Sequence, residues 1–94
     1  MTKETILAFL RAHKEELHQK YGVKSIGLFG SYARDEATSQ SDIDIVVDMP
    51  SSFTAFFGLQ SYLEKHLQKN VDLGMENRLR SFIKESIKQE VIYV

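Results

Sequence analysis

Cysteine is absent from this chain, which excludes disulfides and thiolate metal sites and fits a cytoplasmic protein. Long apolar runs are absent too, and none approaches the roughly 20 residues that a membrane span needs. The opening residues, MTKETILAFLRAHKEE, carry charges inside their apolar pattern and offer no small-residue cleavage site, so no secretory signal is expected. An excess of either charge is also missing. Twelve Lys and Arg stand against 13 Asp and Glu, a net charge of −1. A broad nucleic-acid-binding face needs a strong basic excess, so direct DNA binding is not expected. There is no internal repeat, no low-complexity segment and no linker.

What is present is the composition of an ordinary globular protein, 43% hydrophobic and 27% charged. Ninety-four residues are expected to make one domain, 1–94. A domain of this size buries only roughly 60–65% of the surface that its unfolded chain exposes, which leaves room for a partner surface.

The most informative stretch is GSYARDEATSQSDIDIVVD, Gly30 to Asp48. Its last third alternates from Asp42 to Val47, and a period of two reads as a strand. Ile43, Ile45 and Val47 share one face. Asp42 and Asp44 share the other, roughly 6–7 Å apart by the strand rise. Two carboxylates at a strand start can clamp a hard divalent cation such as Mg²⁺, which takes oxygen ligands and leaves positions for phosphate and water. Gly30-Ser31 offers a turn whose backbone N–H groups and hydroxyl can face a phosphate.

Gly30, Ser31, Asp42 and Asp44 together spell G-S-x10-D-x-D. The chain thereby resembles the DNA polymerase beta-like nucleotidyltransferase superfamily, and its small size and GSYAR wording are similar to the minimal nucleotidyltransferases. Many of these are antitoxins of HEPN/MNT toxin–antitoxin pairs, encoded beside a HEPN-domain RNase. The resemblance spans Ile6 to the end. Relatives often carry glycine where this chain has Asp35.

The rest of the chain reads as alternating helices and strands. Ile6, Leu10, Leu17 and Tyr21, widened by Leu7 and Phe9, mark a helix from Thr2 or Lys3 to Lys20, stopped by Gly22. Val23 to Gly30 reads as a strand in which Gly27 permits close backbone approach. Ser31 to Ala37 reads as a short helix whose N-terminus would favour an anion. After the second strand, Asp48 to Ser52 is a loop, because Pro50 stops the ladder and serine suits a helix cap. Phe53, Phe56, Phe57, Leu59, Leu63 and Leu67 mark a helix to about Lys69. Asn70 to Leu73 reads as a third strand ended by Gly74. Asn77 can cap a last helix with a stripe of Leu79, Phe82, Ile83 and Ile87. The tail Val91 to Val94 can pair as a strand or dock on a partner. This order gives an α/β (α+β) architecture. By resemblance, it is a small mixed sheet of about three to four strands with flanking helices, the polymerase beta-like nucleotidyltransferase fold.

A two-metal transfer site needs about three carboxylates. Asp72, a lone acid between Val71 and Leu73, is the candidate third ligand beside Asp42 and Asp44, and it also matches the family's third acid. Asp48 is its competitor, but it lies roughly 13 Å along the strand from Asp44. Two readings stand for Arg34: contact with the triphosphate or a partner, or pairing with Glu36 or Asp35. Lys65, Lys69, Arg78 and Arg80 read as solvated cations. His13, His18 and His66 lack ligand spacing. Phe53, Phe56, Phe57 and Tyr62 read as core, with enough crowding for part of the group to meet a partner.

The resemblance implies an Mg²⁺-dependent protein adenylyltransferase, with two Mg²⁺ (or Mn²⁺) ions. It would transfer AMP from ATP to a tyrosine of a cognate HEPN toxin. Gly30, Ser31 and Arg34 would bind the nucleotide, and Asp42, Asp44 and Asp72 would bind metal and carry catalysis. Two other readings remain open: an antitoxin that only occludes its partner, and a transferase acting on a small molecule or RNA.

Overall fold

The computed structural model describes residues 1–78, 85 and 88–94. Helix α1 runs Lys3–Tyr21, strand β1 Ser25–Phe29, helix α2 Gly30–Ala33 and strand β2 Ile43–Asp48. Helix α3 follows at Phe53–Leu67, then strand β3 at Val71–Met75, a 3-10 turn at Glu76–Arg78 and strand β4 at Ile92–Tyr93.

Local chemistry explains the ends of these elements. Thr2 caps α1 by accepting from the Thr5 N–H, and Gly22 ends it in the left-handed region that glycine tolerates without strain. Ser52 caps α3 by accepting from the Ala55 N–H. Helix α2 is shorter than the composition of Ser31 to Ala37 suggests. Asp35 turns to φ 59°, which a helix cannot continue through. A left-handed backbone is what glycine accommodates most cheaply, so Asp35 stands here at some cost. Here the Lys3 ammonium holds the Asp35 carboxylate at 2.9 Å.

The strands form one sheet in the order β3-β2-β1-β4. β1 runs antiparallel to both β2 and β4, and β2 runs parallel to β3, with α3 as the crossover. The sheet is therefore mixed, as the resemblance implies. The tail forms a strand at Ile92–Tyr93, beside β1. Gly27 is the crowded point there, since a Cβ on it would overlap Val91 Cγ1.

Alternation divides the sheet's faces. Ile26, Leu28, Ile43, Ile45, Val47, Val71, Leu73 and Met75 point into the main core, where Ile6, Leu10, Leu17, Leu59, Leu63 and Leu67 from α1 and α3 meet them. The opposite face is organised in register rows: Phe29–Asp44–Asp72, then Gly27–Val46–Gly74, then Ser25–Asp48. Gly74 lies inside β3 and does not end it, because the strand carries on to bury Met75. Asp48 likewise belongs to β2 and not to the following loop.

Not every aromatic expected in the core is there. Phe53 is 73% exposed and Phe57 56% exposed, since both precede the Leu59, Leu63 and Leu67 stripe that faces the sheet. Asn77 lies in the 3-10 turn. The expected last helix with Leu79, Phe82, Ile83 and Ile87, and Arg80, lies outside the described residues.

Candidate active site

The parallel pairing of β2 and β3 sets Asp44 directly against Asp72. Neighbouring strands lie about 4.8 Å apart, so the two carboxylates start from adjacent backbones on the same face. Asp42 stands just before β2, exposed, where the chain enters the sheet through the Ile43 N–H bond to the Asn70 carbonyl at 3.0 Å. It borders a polar hollow that Ser39, Ser41, Lys69 and Asn70 also line. Asp48 sits at the far end of β2, opposite Ser25, away from this trio.

The glycine turn adjoins the same row. Gly30 has φ 77°, and a Cβ there would overlap the Asp44 carboxylate. Ser31 follows it, half-buried, in the first turn of α2. The glycine turn and the Asp44 carboxylate, both singled out in the sequence, are thus in van der Waals reach of each other. Only a residue without a side chain can stand at Gly30.

The electrostatics follow from that crowding. Burial raises the Asp44 carboxyl above its ordinary value, and the charges of Asp72 and Asp42 push it further the same way. Arg34 opposes them. Like charges gathered on one face are what a divalent metal relieves. Among the described residues, no three such groups close into a ready-made cage. Mg²⁺ is usually bound by one or two carboxylates and completed by substrate phosphate and water. The all-oxygen donor set of Asp42, Asp44 and Asp72 fits that ion, and Mn²⁺ as well.

Arg34 pairs with Glu36, Nε to Oε1 at 2.8 Å, as one of its two readings has it. Asp35 is not its partner, being held by Lys3 instead. Arg34 also reaches Glu90, through Nη1 at 3.1 and 3.2 Å. Glu90 Oε1 accepts a further bond from the Gly30 N–H at 3.0 Å. Sequence reasoning missed Glu90. No period or motif marks it, and only the return of β4 to β1 carries it to the turn.

The histidines are occupied locally. His13, His18 and His66 each turn Nδ1 to a backbone carbonyl, of Phe9, Val23 and Tyr62. Lys69 donates to the Ser39 carbonyl, and Arg78 lies over the Phe53 ring at 6.0 Å.

A glycine turn beside a row of acids on one face of a mixed sheet is the arrangement that the sequence led us to expect for nucleotidyl transfer. The chain belongs to the nucleotidyltransferase domain family, which it matches over residues 10–94. It is 46% identical over 96 residues to the protein adenylyltransferase MntA of Thermococcus cleftensis, covering 100% of this chain and 97% of that one. Its fold superposes on a solved minimal nucleotidyltransferase with a TM-score of 0.84 and 31% identity, covering 98% of this chain and 95% of the other. It also resembles a chain in the complex of tri-AMPylated Shewanella oneidensis HEPN toxin with its MNT antitoxin. There the TM-score is 0.69 at 20% identity, covering 98% of this chain and 71% of that one. The protein is therefore an enzyme of nucleotidyl transfer. Among the described residues, no helix is long and apolar enough to cross a membrane.

Proposed function

We propose that this protein is an Mg²⁺-dependent protein adenylyltransferase. It moves AMP from ATP to a tyrosine of a HEPN-domain toxin, acting as that toxin's antitoxin in the cytoplasm. The 94 residues would work as one minimal domain. The observation that carries the reading is the Asp44–Asp72 register pair, with Gly30 pressed against Asp44, in a chain so similar to a protein adenylyltransferase.

Gly30, Ser31 and Arg34 hold the triphosphate, with one backbone N–H, one hydroxyl and a guanidinium as donors. Asp42, Asp44 and Asp72 would hold the metal ions. When bound, these ions neutralise the triphosphate and make the acceptor hydroxyl a better nucleophile. The tyrosine oxygen bonds to the α-phosphorus as the bond to the pyrophosphate oxygen breaks. The phenolic proton passes to solvent water, and pyrophosphate departs with the pair of electrons. The chain's own part is to align donor and acceptor in a carboxylate-rich cleft.

A second reading, occlusion without transfer, draws on the exposed Phe53 and Phe57, which offer a contact surface. Turnover separates the two. A trace of this protein, ATP and Mg²⁺ should leave AMP-sized additions on an excess of toxin, and the toxin should stay inactive after the protein is removed. An occluder acts only while bound, at about one copy per toxin site, by mass action. Full neutralisation by the Asp42→Asn/Asp44→Asn variant at equimolar ratio, with no mass change on the toxin from either the variant or the wild type, would sink the transfer reading.

A further inference from the structure

Glu90 lies where a phosphate of the nucleotide is expected. Its Oε1 accepts from the Gly30 N–H at 3.0 Å. Its two oxygens share Arg34 Nη1 at 3.2 and 3.1 Å. Gly30 has a single N–H, so it cannot serve this carboxylate and a phosphate oxygen in good geometry at once. Charge points the same way. A triphosphate arriving beside Asp42, Asp44 and Asp72 would meet a fourth carboxylate if Glu90 stayed, and the repulsion grows in a partly desolvated cleft.

The arrangement also allows Glu90 to leave at little cost. It sits in a turn just before β4 and is not itself a ladder residue. Its side chain remains 31% exposed. Arg34 would keep its second anchor, Glu36, at 2.8 Å, so the guanidinium stays near the cleft when Glu90 goes.

We infer that the Glu90 carboxylate is an internal occupant of the phosphate cradle, holding the Gly30 N–H and Arg34 until a polyphosphate displaces it. This rests on the reading of Gly30, Ser31 and Arg34 as the triphosphate site. It makes Glu90 a determinant of which anions enter. A polyphosphate carrying a divalent cation outcompetes the carboxylate, whereas orthophosphate, with fewer donors to satisfy and less charge, competes poorly.

The test is calorimetric titration of the full chain with tripolyphosphate, with orthophosphate and with ATP–Mg²⁺. Wild type is compared with Glu90→Gln and Glu90→Ala, with thermal melts to verify folding. Removing a half-exposed competitor should tighten tripolyphosphate binding about three- to tenfold in both variants. In wild type, the backbone amide of Gly30 and the carboxylate carbon of Glu90 should both shift in NMR spectra as tripolyphosphate is added. That readout needs no substitution. Unchanged or weaker tripolyphosphate binding in the folded variants, or a Glu90 carboxylate that stays on Gly30 at saturation, would overturn the displacement. If ATP still binds and AMP is still transferred, displacement alone has failed. If neither tripolyphosphate nor ATP binds wild type or variant, the nucleotide reading of the cradle falls with it.

Discussion

Asp44 and Asp48 stand on the same strand and the same face, yet their surroundings differ completely. Asp44 has Asp72 as its register partner, Gly30 against its carboxylate and Asp42 ahead of it. Asp48 faces Ser25 across the ladder, and no β3 residue pairs with it. Three residues of strand separate an acid whose row holds a second acid from one whose row does not. The difference arises from where β3 and the glycine turn end, and not from the acids themselves. What sets a carboxylate apart here is the acid and the glycine turn that neighbouring strands bring to its row.

Removing the acids of the Asp44 row is the hardest blow to that comparison. Asp42→Asn/Asp44→Asn should leave the fold intact while AMP transfer falls by about 10³-fold or more, since metal-borne charge stabilisation is worth several kcal/mol. Label transferred from ATP at the wild-type rate would show that the row is not catalytic.

Gly30→Val should come next. Its Cβ would overlap Asp44, and its φ of 77° is one that a β-branched residue resists, so both halves of the site suffer together. Nucleotide binding should drop by about 10²-fold, at a stability cost of about 1–3 kcal/mol. Ser31→Ala, which removes one hydroxyl, should weaken binding only about tenfold or less. Wild-type ATP affinity in Gly30→Val would detach the turn from the nucleotide.

The comparison itself is put to the test by Asp72→Asn against Asp48→Asn. The first should cut transfer by at least about tenfold, as loss of one ligand of a charge-stabilising site does. The second should stay within about twofold, as a surface change distant from the site does. Equal losses in steady-state transfer rates would contradict the register pairing of Asp44 with Asp72.

Most of the Asp44 row was legible in the sequence. Alternation fixed the faces of β2, the G-S-x10-D-x-D spacing tied Gly30 and Ser31 to Asp42 and Asp44, and Asp72 stood out as a lone acid in an apolar strand. What escaped depended on where the chain returns. Glu90 reaches Gly30 only because β4 pairs with β1, a contact between residues some 60 positions apart that no local pattern encodes. The exposure of Phe53 and Phe57 escaped for a similar reason. Periodicity marks a helix's apolar residues, but the packing of α3 decides which of them reach the sheet. Gly74 reads as a stop but lies inside β3, because a glycine within a strand and one after it look alike in sequence.

The smallest expected effect lies toward the Asp48 end. Tyr93, on β4 beside Gly27, donates its hydroxyl to Glu76. Burial first, and then the bond to Glu76, pushes its phenol up to about 12. The sign follows directly. The folded state holds the phenolic proton more tightly than the unfolded chain, whose tyrosine titrates near 10. This contribution to stability is fully present at neutral pH and is lost as pH rises from 10 through about 12. Tyr93→Phe should therefore lower the melting temperature slightly at pH 7, by about 2–5 °C for the loss of one exposed hydrogen bond. The gap should narrow as pH rises above 10. Phenolate absorbance should lose its highest-pH step in the variant, and AMP transfer at pH 7 should remain within about twofold of wild type. A missing step near the ordinary tyrosine value would show that Glu76 does not hold the phenol. A large loss of transfer would extend the working part of the sheet to an end where the strand pairing puts no second acid beside Asp48.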